Sequence, residues 1–554
     1  MGRLQLAVEL NTAAKERSQQ SIFPILTLST IPMEATMSKH RSRYRFHLAA
    51  AIVFAVAALH AWALPAAADG GEAARVQPYA ENPRYLAMDG VPFFAIGATH
   101  RHSWTPISRP AQFELLQDLD RLAAVMARID SPHVRGFVRC MPYDPMNHMH
   151  DGAVDPVLQP WKRLDDGRYD LAEFEPAWQE RLRSFLNAAR ERGILVSLEV
   201  WDDWSVTRGI GGAWDPGPGH AWHSHPFQPD NNVNYGRQVL PHTTRACVSP
   251  FYQTLPGANG NQTVLDFQQH YVDHLIGIAG DYPNVIWNLS NETRATLAWS
   301  RYWADYLRER LPAGAMIGEM PSTTGRDGVG ECDPDLSPLT LATDDRYDFV
   351  DVAQPVSRHG FGADPARQGI GGAQRIRQYQ QAMAAAGRIK PLVVSKDYHS
   401  HPDGGTAVLW SRLTGGAATS RFHRPYGKRP PTDTDFQYEA VERLGRFLAG
   451  VEFWHFEPRA DFVAGLPEGS PGANAIGRTG REYLVQLFGG HGGDVALRLA
   501  PGRWRVVVYE PKADAYRNAG GRSGEVIEAG EQPLAISVPT YDETAILHLR
   551  RADE

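Results

Sequence analysis

The chain has little cysteine and no strong excess of charge. Three cysteines, Cys140, Cys247 and Cys332, occur in 554 residues, which is too few for a disulfide framework but allows one Cys247–Cys332 bridge. The formal net charge is −7, and no long basic run follows residue 68, so we expect no nucleic-acid partner. With 43% hydrophobic and 21% charged residues, the composition is that of a globular protein rather than a disordered one.

Short motifs of several common α/β enzymes are also missing. The chain has neither a G-x-G-x-x-G turn nor a G-x-x-x-x-G-K-[ST] loop, which argues against a dinucleotide-binding or P-loop domain. It has no G-x-S-x-G either, and this weakens an esterase interpretation. The length of 554 residues suggests two domains.

Residues 1–68 are predicted to be an N-terminal extension that ends in an export signal. After Met37, which we interpret as the true start, basic residues precede the apolar run 48–64, and Ala66–Ala68 offers a small-residue cleavage site. We therefore expect a secreted or periplasmic protein that begins near Asp69 and has no stable membrane insertion after cleavage. An uncleaved anchor is the alternative, although the run is short for a membrane span.

Apolar runs alternate with helical patterns through residues 69–460, which predicts an α/β fold, a (β/α)8 TIM barrel. After residue 460 the pattern changes to short alternating strands between Gly and Pro turns, which predicts a smaller antiparallel β-sandwich domain over 461–554. The predicted barrel strands are 92–97, 134–140, 194–200, the run within 284–292, 315–319, 349–354, 391–395 and 417–422.

One segment combines a buried strand with a polar tip. Residues 284–292 read Asn-Val-Ile-Trp-Asn-Leu-Ser-Asn-Glu, between two amphipathic helix patterns. In an α/β barrel the chemistry lies at the C-terminal strand ends, where a partly buried carboxyl group can act as a general acid. An ordinary helix N-terminus, where Asn and Glu are common, is the alternative for Asn291 and Glu292.

This segment resembles the strand-four signature of the clan A glycoside hydrolases, which are retaining (β/α)8 enzymes. The 461–554 region looks like the collagen-binding-type C-terminal domain of apiosidase-like barrels in that clan. The resemblance implies that Glu292 is the acid/base, that Asn291 holds the sugar 2-hydroxyl, and that Arg139 orients the nucleophile. It implies no metal and no organic cofactor.

The resemblance breaks at strand seven, where the clan carries its nucleophile. The clan's segment resembles Lys-Pro-Leu-Val-Val-Ser-Glu, whereas residues 390–398 read Lys-Pro-Leu-Val-Val-Ser-Lys-Asp-Tyr. Lys396 thus occupies the expected glutamate position, and Asp397 follows it. A shift of one residue reverses the side-chain direction on a regular strand, although a bulge could restore it.

Three interpretations of the second carboxylate stay open. Asp397 is the nucleophile, or Glu319 on strand five or Asp202 or Asp203 on strand three takes the role. In the third interpretation the barrel has lost its nucleophile and only binds carbohydrate.

Aromatic and histidine side chains at the strand ends are predicted to bind sugar. Trp201 and Trp204 flank two aspartates, of which Asp203 is a predicted sugar ligand, and such an arrangement suits ring stacking and hydroxyl recognition. Loop packing is the alternative for the tryptophans.

Several His-x-His pairs, such as that of His100 and His102, could chelate a metal. No carboxylate-rich ligand spacing accompanies them, so we interpret His100, His102 and His399 as sugar contacts and predict no metal.

The sequence therefore predicts an exported glycoside hydrolase that cleaves O-glycosidic bonds of a poly- or oligosaccharide by a two-carboxylate, retaining mechanism. The rivals are a non-catalytic carbohydrate-binding barrel and a metal-dependent hydrolase or lyase that uses the histidine pairs. The sequence carries no signal for the sugar, the linkage or the oligomeric state.

Overall fold

The computed structural model describes most of the chain after residue 73. The described residues are 74–98, 112–143, 158–207, 221–240, 247, 249–257, 260–324, 329–330, 332–358, 364–399, 405–425, 435–517 and 524–552.

Parallel strands pair side by side in the order in which they follow one another along the described chain. They are β1 (Val91–Gly97), β2 (Val134–Cys140), β3 (Leu195–Asp202), β4 (Val285–Asn291), β5 (Ile317–Glu319), β6 (Phe349–Asp351), β7 in two pieces (Leu392–Val393 and Asp397–His399) and β8 (Thr419–Pro425). β8 pairs with the second piece of β7 and with β1, so the pairing returns to the first strand. The predicted α/β, TIM-like fold is confirmed.

A helix follows each of these strands, as parallel pairing requires. The helices are α1 (Gln112–Ile129), α2 (Pro176–Glu191), α3 (Gln262–Ala279), α4 (Leu297–Arg310), α5 (Pro338–Thr343), α6 (Pro365–Ala385), α7 (Gly405–Gly415) and α8 (Asp435–Leu448). Capping side chains define the residue at which several of these helices begin. The side chain of Asn261 accepts a hydrogen bond from the backbone N–H of Val264, and Thr296 and Ser337 cap α4 and α5 in the same way.

Alternation along the strands separates an inner core from an outer one. Phe137, Leu195, Ile286 and Phe349 share a cluster that comes from the strands of the ring, whereas their strand neighbours pack in the large cluster that includes the helices. A Cβ at Gly318 would lie 2.4 Å from the Phe349 ring, so glycine there makes room for a large inner side chain.

The C-terminal region forms two antiparallel sheets. One contains β9 (Glu457–Pro458), β11 (Ala473–Arg478), β12 (Glu482–Phe488), β14 (Gly502–Glu510), β15 (Ala515–Tyr516), β16 (Glu525–Ala529) and β18 (Thr544–Arg551), and the other contains β10 (Val463–Gly465), β13 (Gly493–Leu497) and β17 (Leu534–Val538). Side chains from both sheets share one hydrophobic cluster. Gln486 of β12 joins the larger sheet to α7, because it donates to the carbonyl of Ala407 at 2.9 Å and accepts from Thr414 at 2.7 Å.

A disulfide joins Cys247 to Cys332 across 85 residues, with their Cα atoms 5.2 Å apart. Cys140 is a buried free cysteine. None of the helices in the described ranges has the length and apolar character needed to cross a bilayer.

Candidate active site

Asn291, the last residue of β4, contacts side chains from β2, β3 and the β7 segment at the C-terminal edge of the ring. Its side-chain oxygen accepts from Lys396 Nζ at 2.7 Å and from Arg139 Nη2 at 2.9 Å. Its amide nitrogen donates to Asp202 Oδ1 at 2.7 Å. Because an amide nitrogen carries two hydrogens, this arrangement fixes the amide, and one N–H has no acceptor among the described residues.

Glu292 follows directly and is 3% exposed. Its carboxylate forms an ion pair with Lys396, the residue that stands where the clan has its nucleophile. Burial lowers the pKa of Lys396, and the charge of Glu292 opposes that change. The backbone of Glu292 has φ 57°, a left-handed conformation that is uncommon for a residue with a Cβ and that frequently marks functional positions.

Arg139 at the end of β2 holds a carboxylate that the sequence analysis did not select. Its Nε and Nη2 donate to the two oxygens of Glu199 at 2.8 and 2.5 Å, a bidentate ion pair with both side chains buried. Burial alone would lower the pKa of Arg139, but Glu199, together with Tyr398 and Asp351, outweighs burial and the pKa is raised. A lone glutamate inside the apolar run Leu-Val-Ser-Leu-Glu-Val of β3 was the available signal for Glu199.

Asp397 makes its contacts outside this network. Its carboxylate accepts from Arg412 Nε at 2.6 Å, from Ser420 Oγ at 3.1 Å and from Ser357 Oγ at 3.3 Å. Arg412 belongs to α7, so the carboxylate faces the helical layer. The β7–β8 register is irregular between Asp397 and Tyr398, but the irregularity does not bring Asp397 to the side of the strand that Lys396 occupies.

Trp201 also faces a different environment from the one predicted for a sugar platform. Its ring is 1% exposed and packs against Phe251, Tyr271, Trp299 and Trp303. Residues of α3 and α4 supply most of these contacts, so Trp201 belongs to the hydrophobic core between the ring and its helices and not to the rim.

Asp203 serves as an anchor between loops. It forms a buried ion pair with Arg294 and accepts from the backbone N–H of Arg294 and from Thr207 Oγ1, each at 2.9 Å. These bonds use its carboxylate within the protein, so its placement does not fit the predicted sugar contact. Trp204 lies in the short helix Asp203–Thr207, and its side chain is outside the described set.

The histidines predicted to contact sugar are mostly outside the described residues. His100 and His102 fall in that category, and His399 ends β7 but its side chain is not described. Within the ranges that the structure describes, no group of three or more His, Cys, Asp or Glu side chains could hold a metal ion.

Two further buried carboxyl groups sit on β5 and β6. Glu319 accepts from Ser300 Oγ of α4 at 2.8 Å and from the Met320 N–H at 3.0 Å, so it faces the helical layer; burial raises its pKa to about 8. Asp351 accepts from Asn288 Nδ2 at 3.2 Å, and burial raises its pKa to about 6. Of the predicted alternatives for a second carboxylate, only Asp202 contacts Asn291.

Comparisons with known proteins support the fold. No family model and no curated protein matches the chain. A glycoside hydrolase family 5 protein from Bacteroides vulgatus is 13% identical over 87% of this chain and 94% of its own, with a TM-score of 0.54. A second solved structure, described as a glycoside hydrolase, is 12% identical over 87% of this chain and 98% of its own, with a TM-score of 0.55. This chain shares their fold. The likeness agrees with the clan A resemblance at the level of fold, and the apiosidase-like assignment stays a prediction.

Proposed function

We propose that the protein hydrolyses O-glycosidic bonds of a poly- or oligosaccharide. One observation carries the proposal: Asn291 ends β4 and Glu292 follows it at the C-terminal edge of the ring, where they contact Arg139 and Lys396, in a fold shared with glycoside hydrolases. Active sites in this architecture occupy that edge. Glu292 protonates the leaving oxygen, and the free N–H of Asn291 binds a sugar hydroxyl.

The second carboxylate is Glu199 in this proposal. A glycosidase needs two carboxyl groups that flank the scissile bond, and the Asp397 carboxylate faces the helical layer, where it accepts from Arg412 of α7. Arg139 was expected to orient the nucleophile, and the carboxylate that it holds is Glu199. A retaining reaction needs a carboxyl separation of about 5–5.5 Å, whereas inversion through water needs about 6.5–9.5 Å. The anomeric form of the first product, followed by NMR, distinguishes the two.

The rival function is a non-catalytic carbohydrate-binding barrel. The ion pair of Glu292 with Lys396 favours it, because a neighbouring ammonium group stabilises the ionised carboxylate and the acid role needs the protonated form. For catalysis to proceed, bound substrate must displace Lys396 from Glu292, so that the carboxyl group can hold the proton that it donates.

The deciding experiment compares the wild type with Glu292→Gln, Glu199→Gln and Glu319→Gln on aryl glycosides and on plant and algal polysaccharides. Glu319 is the matched control, since it is a buried glutamate that faces the helical layer. We expect the first two substitutions to lower kcat by about 10²–10⁴-fold and the control to keep most activity. Full activity in Glu292→Gln overturns the proposal, and tight glycan binding without hydrolysis by the wild type favours the rival.

The remaining parts of the proposal concern domains and export. Residues 69–460 form the closed (β/α)8 barrel and 461–554 a β-sandwich that packs on α7, supported by the pairing of β8 with β1 and by the shared C-terminal cluster. Residues 1–68 are removed on export, which makes the protein secreted or periplasmic. N-terminal sequencing of the exported protein tests this: a first residue near Asp69 is expected, and an intact N-terminus contradicts it.

A further inference from the structure

Arg421 of β8 is a fully buried arginine without a carboxylate partner among the residues that the structure describes. Its side chain is 0% exposed, and Nη1 donates to the backbone carbonyl of Ser395 at 3.1 Å. Nε and Nη2 have no hydrogen-bond partner in the part of the chain that the structure describes. A buried guanidinium loses its hydration, so leaving it unpaired is costly.

The other buried arginines show that this arrangement is unusual in the molecule. Each of them in the described ranges forms an ion pair: Arg84 with Glu457, Arg139 with Glu199, Arg294 with Asp203 and Arg412 with Asp397. The carboxylate of Glu199 attracts Arg421 at longer range, but its two oxygens are taken by Arg139.

Arg421 points into the ring at the edge where Glu292 lies. It is in register with Gly97 of β1, and Gly97 contributes no side chain: a Cβ there would stand 2.1 Å from the Phe137 carbonyl oxygen and 3.1 Å from Arg421 Cγ. Its bond to Ser395 places the guanidinium next to the residue that precedes Lys396. Arg421 therefore belongs to the same strand-end region as the Lys396–Glu292 pair.

The two buried nitrogens that lack a partner in the described residues define the geometry of a ligand. Nε and Nη2 form one edge of the guanidinium plane, and that edge matches the two oxygens of a carboxylate in parallel hydrogen bonds. Nε and Nη2 of Arg139 donate to the two oxygens of Glu199 in this way. The protein therefore already shows this geometry, with one of its own carboxylates as the acceptor.

We propose that Arg421 binds the carboxylate of a uronic acid residue, so that the glycan taken by this site is acidic. The inference rests on the proposed function for the location of the glycan, and it adds the chemical class. Bound uronate supplies the counter-ion that the described part of the chain does not provide, and a neutral sugar does not supply one.

The test is calorimetric titration of the full-length exported protein with oligomers of galacturonic and glucuronic acid, and with neutral galactose and glucose oligomers of equal length. We expect the wild type to bind one of the uronate series at least about tenfold more tightly than its neutral counterpart, the range of one charge-assisted hydrogen bond. Arg421→Met is expected to abolish that difference. Arg421→Lys, which keeps the charge without the planar edge, is expected to reduce it.

Stability provides an independent measurement. Arg421→Met removes an unpaired buried charge, so its melting temperature in the absence of glycan should equal or exceed that of the wild type. The matched control, Arg412→Met, strands Asp397 and should melt at a lower temperature. A clear loss of stability in Arg421→Met with unchanged uronate binding would assign Arg421 a structural role and overturn the proposal.

The outcomes separate this proposal from the proposed function. Hydrolysis of neutral glycans without a preference for uronates overturns the Arg421 assignment and leaves the hydrolase proposal standing. Uronate binding that depends on Arg421, with no hydrolysis of any glycan, supports the Arg421 assignment and overturns the hydrolase proposal. Sulfated neutral oligomers form a third arm, and binding of these in preference to uronates overturns the carboxylate assignment.

Discussion

One ammonium group, that of Lys396, reaches both Asn291 and Glu292. It donates to the Asn291 side-chain oxygen at 2.7 Å and forms an ion pair with the Glu292 carboxylate. A cation thus occupies the strand-seven position beside the predicted acid. Lys396 and Glu292 are both nearly inaccessible to solvent, so each charge depends on the other.

Lys396→Met should destabilise the protein through Glu292. The substitution leaves a buried carboxylate without its ammonium partner, and we expect the free energy of unfolding to fall by about 3–5 kcal/mol. Lys396→Met combined with Glu292→Gln removes both charges and should recover most of that loss. Urea unfolding at neutral pH measures the cycle, and additive effects of the two substitutions would show that the pair is not coupled.

Asp397→Asn should affect stability much more than turnover. It leaves the Arg412 guanidinium buried without a charged partner, which costs about 3–5 kcal/mol. Because the Asp397 carboxylate faces the helical layer, kcat per folded molecule should change by less than about tenfold, well below the 10²–10⁴-fold typical of a removed catalytic group. Active-fraction titration at low temperature measures this. The opposite pattern, intact stability with lost turnover, would return Asp397 to the nucleophile role.

Glu319→Gln should stabilise the protein at alkaline pH only. Burial raises the pKa of Glu319 from 4.5 to about 8, so the folded protein keeps a proton that the unfolded chain releases above its ordinary pKa. Stability from this group therefore falls as pH rises from about 4.5 to about 8, by up to roughly 4 kcal/mol. The amide carries no charge, so its effect should be small near pH 5 and a gain near pH 8.5. Calorimetric melting at the two pH values tests this, and equal shifts would contradict it.

Reduction of the Cys247–Cys332 disulfide should lower the melting temperature. The bridge spans 85 residues, for which loop entropy gives up to about 4.5 kcal/mol. The Cys247→Ser/Cys332→Ser variant should melt like the reduced wild type and should not respond to reductant. In denaturant without reductant a thiol reagent should label Cys140 alone, and labelling of all three cysteines would show that the bridge is absent.

Much of the fold could be predicted from hydrophobic pattern. The β2 bounds 134–140 match the structure, and β4 and β8 shift by a few residues at most, because buried parallel strands give continuous apolar runs between turn residues. Predicted strand six extended to residue 354, whereas the structure ends β6 at Asp351 and begins a short helix at Ala353. Short edge strands such as β16 were missed, since their exposed side chains give little apolar signal.

The site was harder to predict, because side-chain direction at a strand end depends on local register. Arg139 donates to Asn291, and Lys396 links Asn291 to Glu292, whereas the roles that the resemblance implies for these residues stay predictions. Trp201 was assigned to the rim, but it packs inward against the helices. Glu199 was overlooked because a glutamate within an apolar strand has no neighbouring motif, although its alternation with Leu195 and Ser197 places it on the inner face of β3.

The left-handed backbone of Glu292 has a consequence for engineering. An L-residue in that conformation costs roughly 1–2 kcal/mol that glycine does not incur. Glycine at position 292 alone would relieve that cost but leave the buried Lys396 ammonium without its carboxylate, at about 3–5 kcal/mol. Selection by heat resistance would therefore reach glycine only together with an uncharged residue at position 396. Libraries built for thermal tolerance should keep both codons fixed, since that doubly neutral variant has no carboxyl group to deliver a proton.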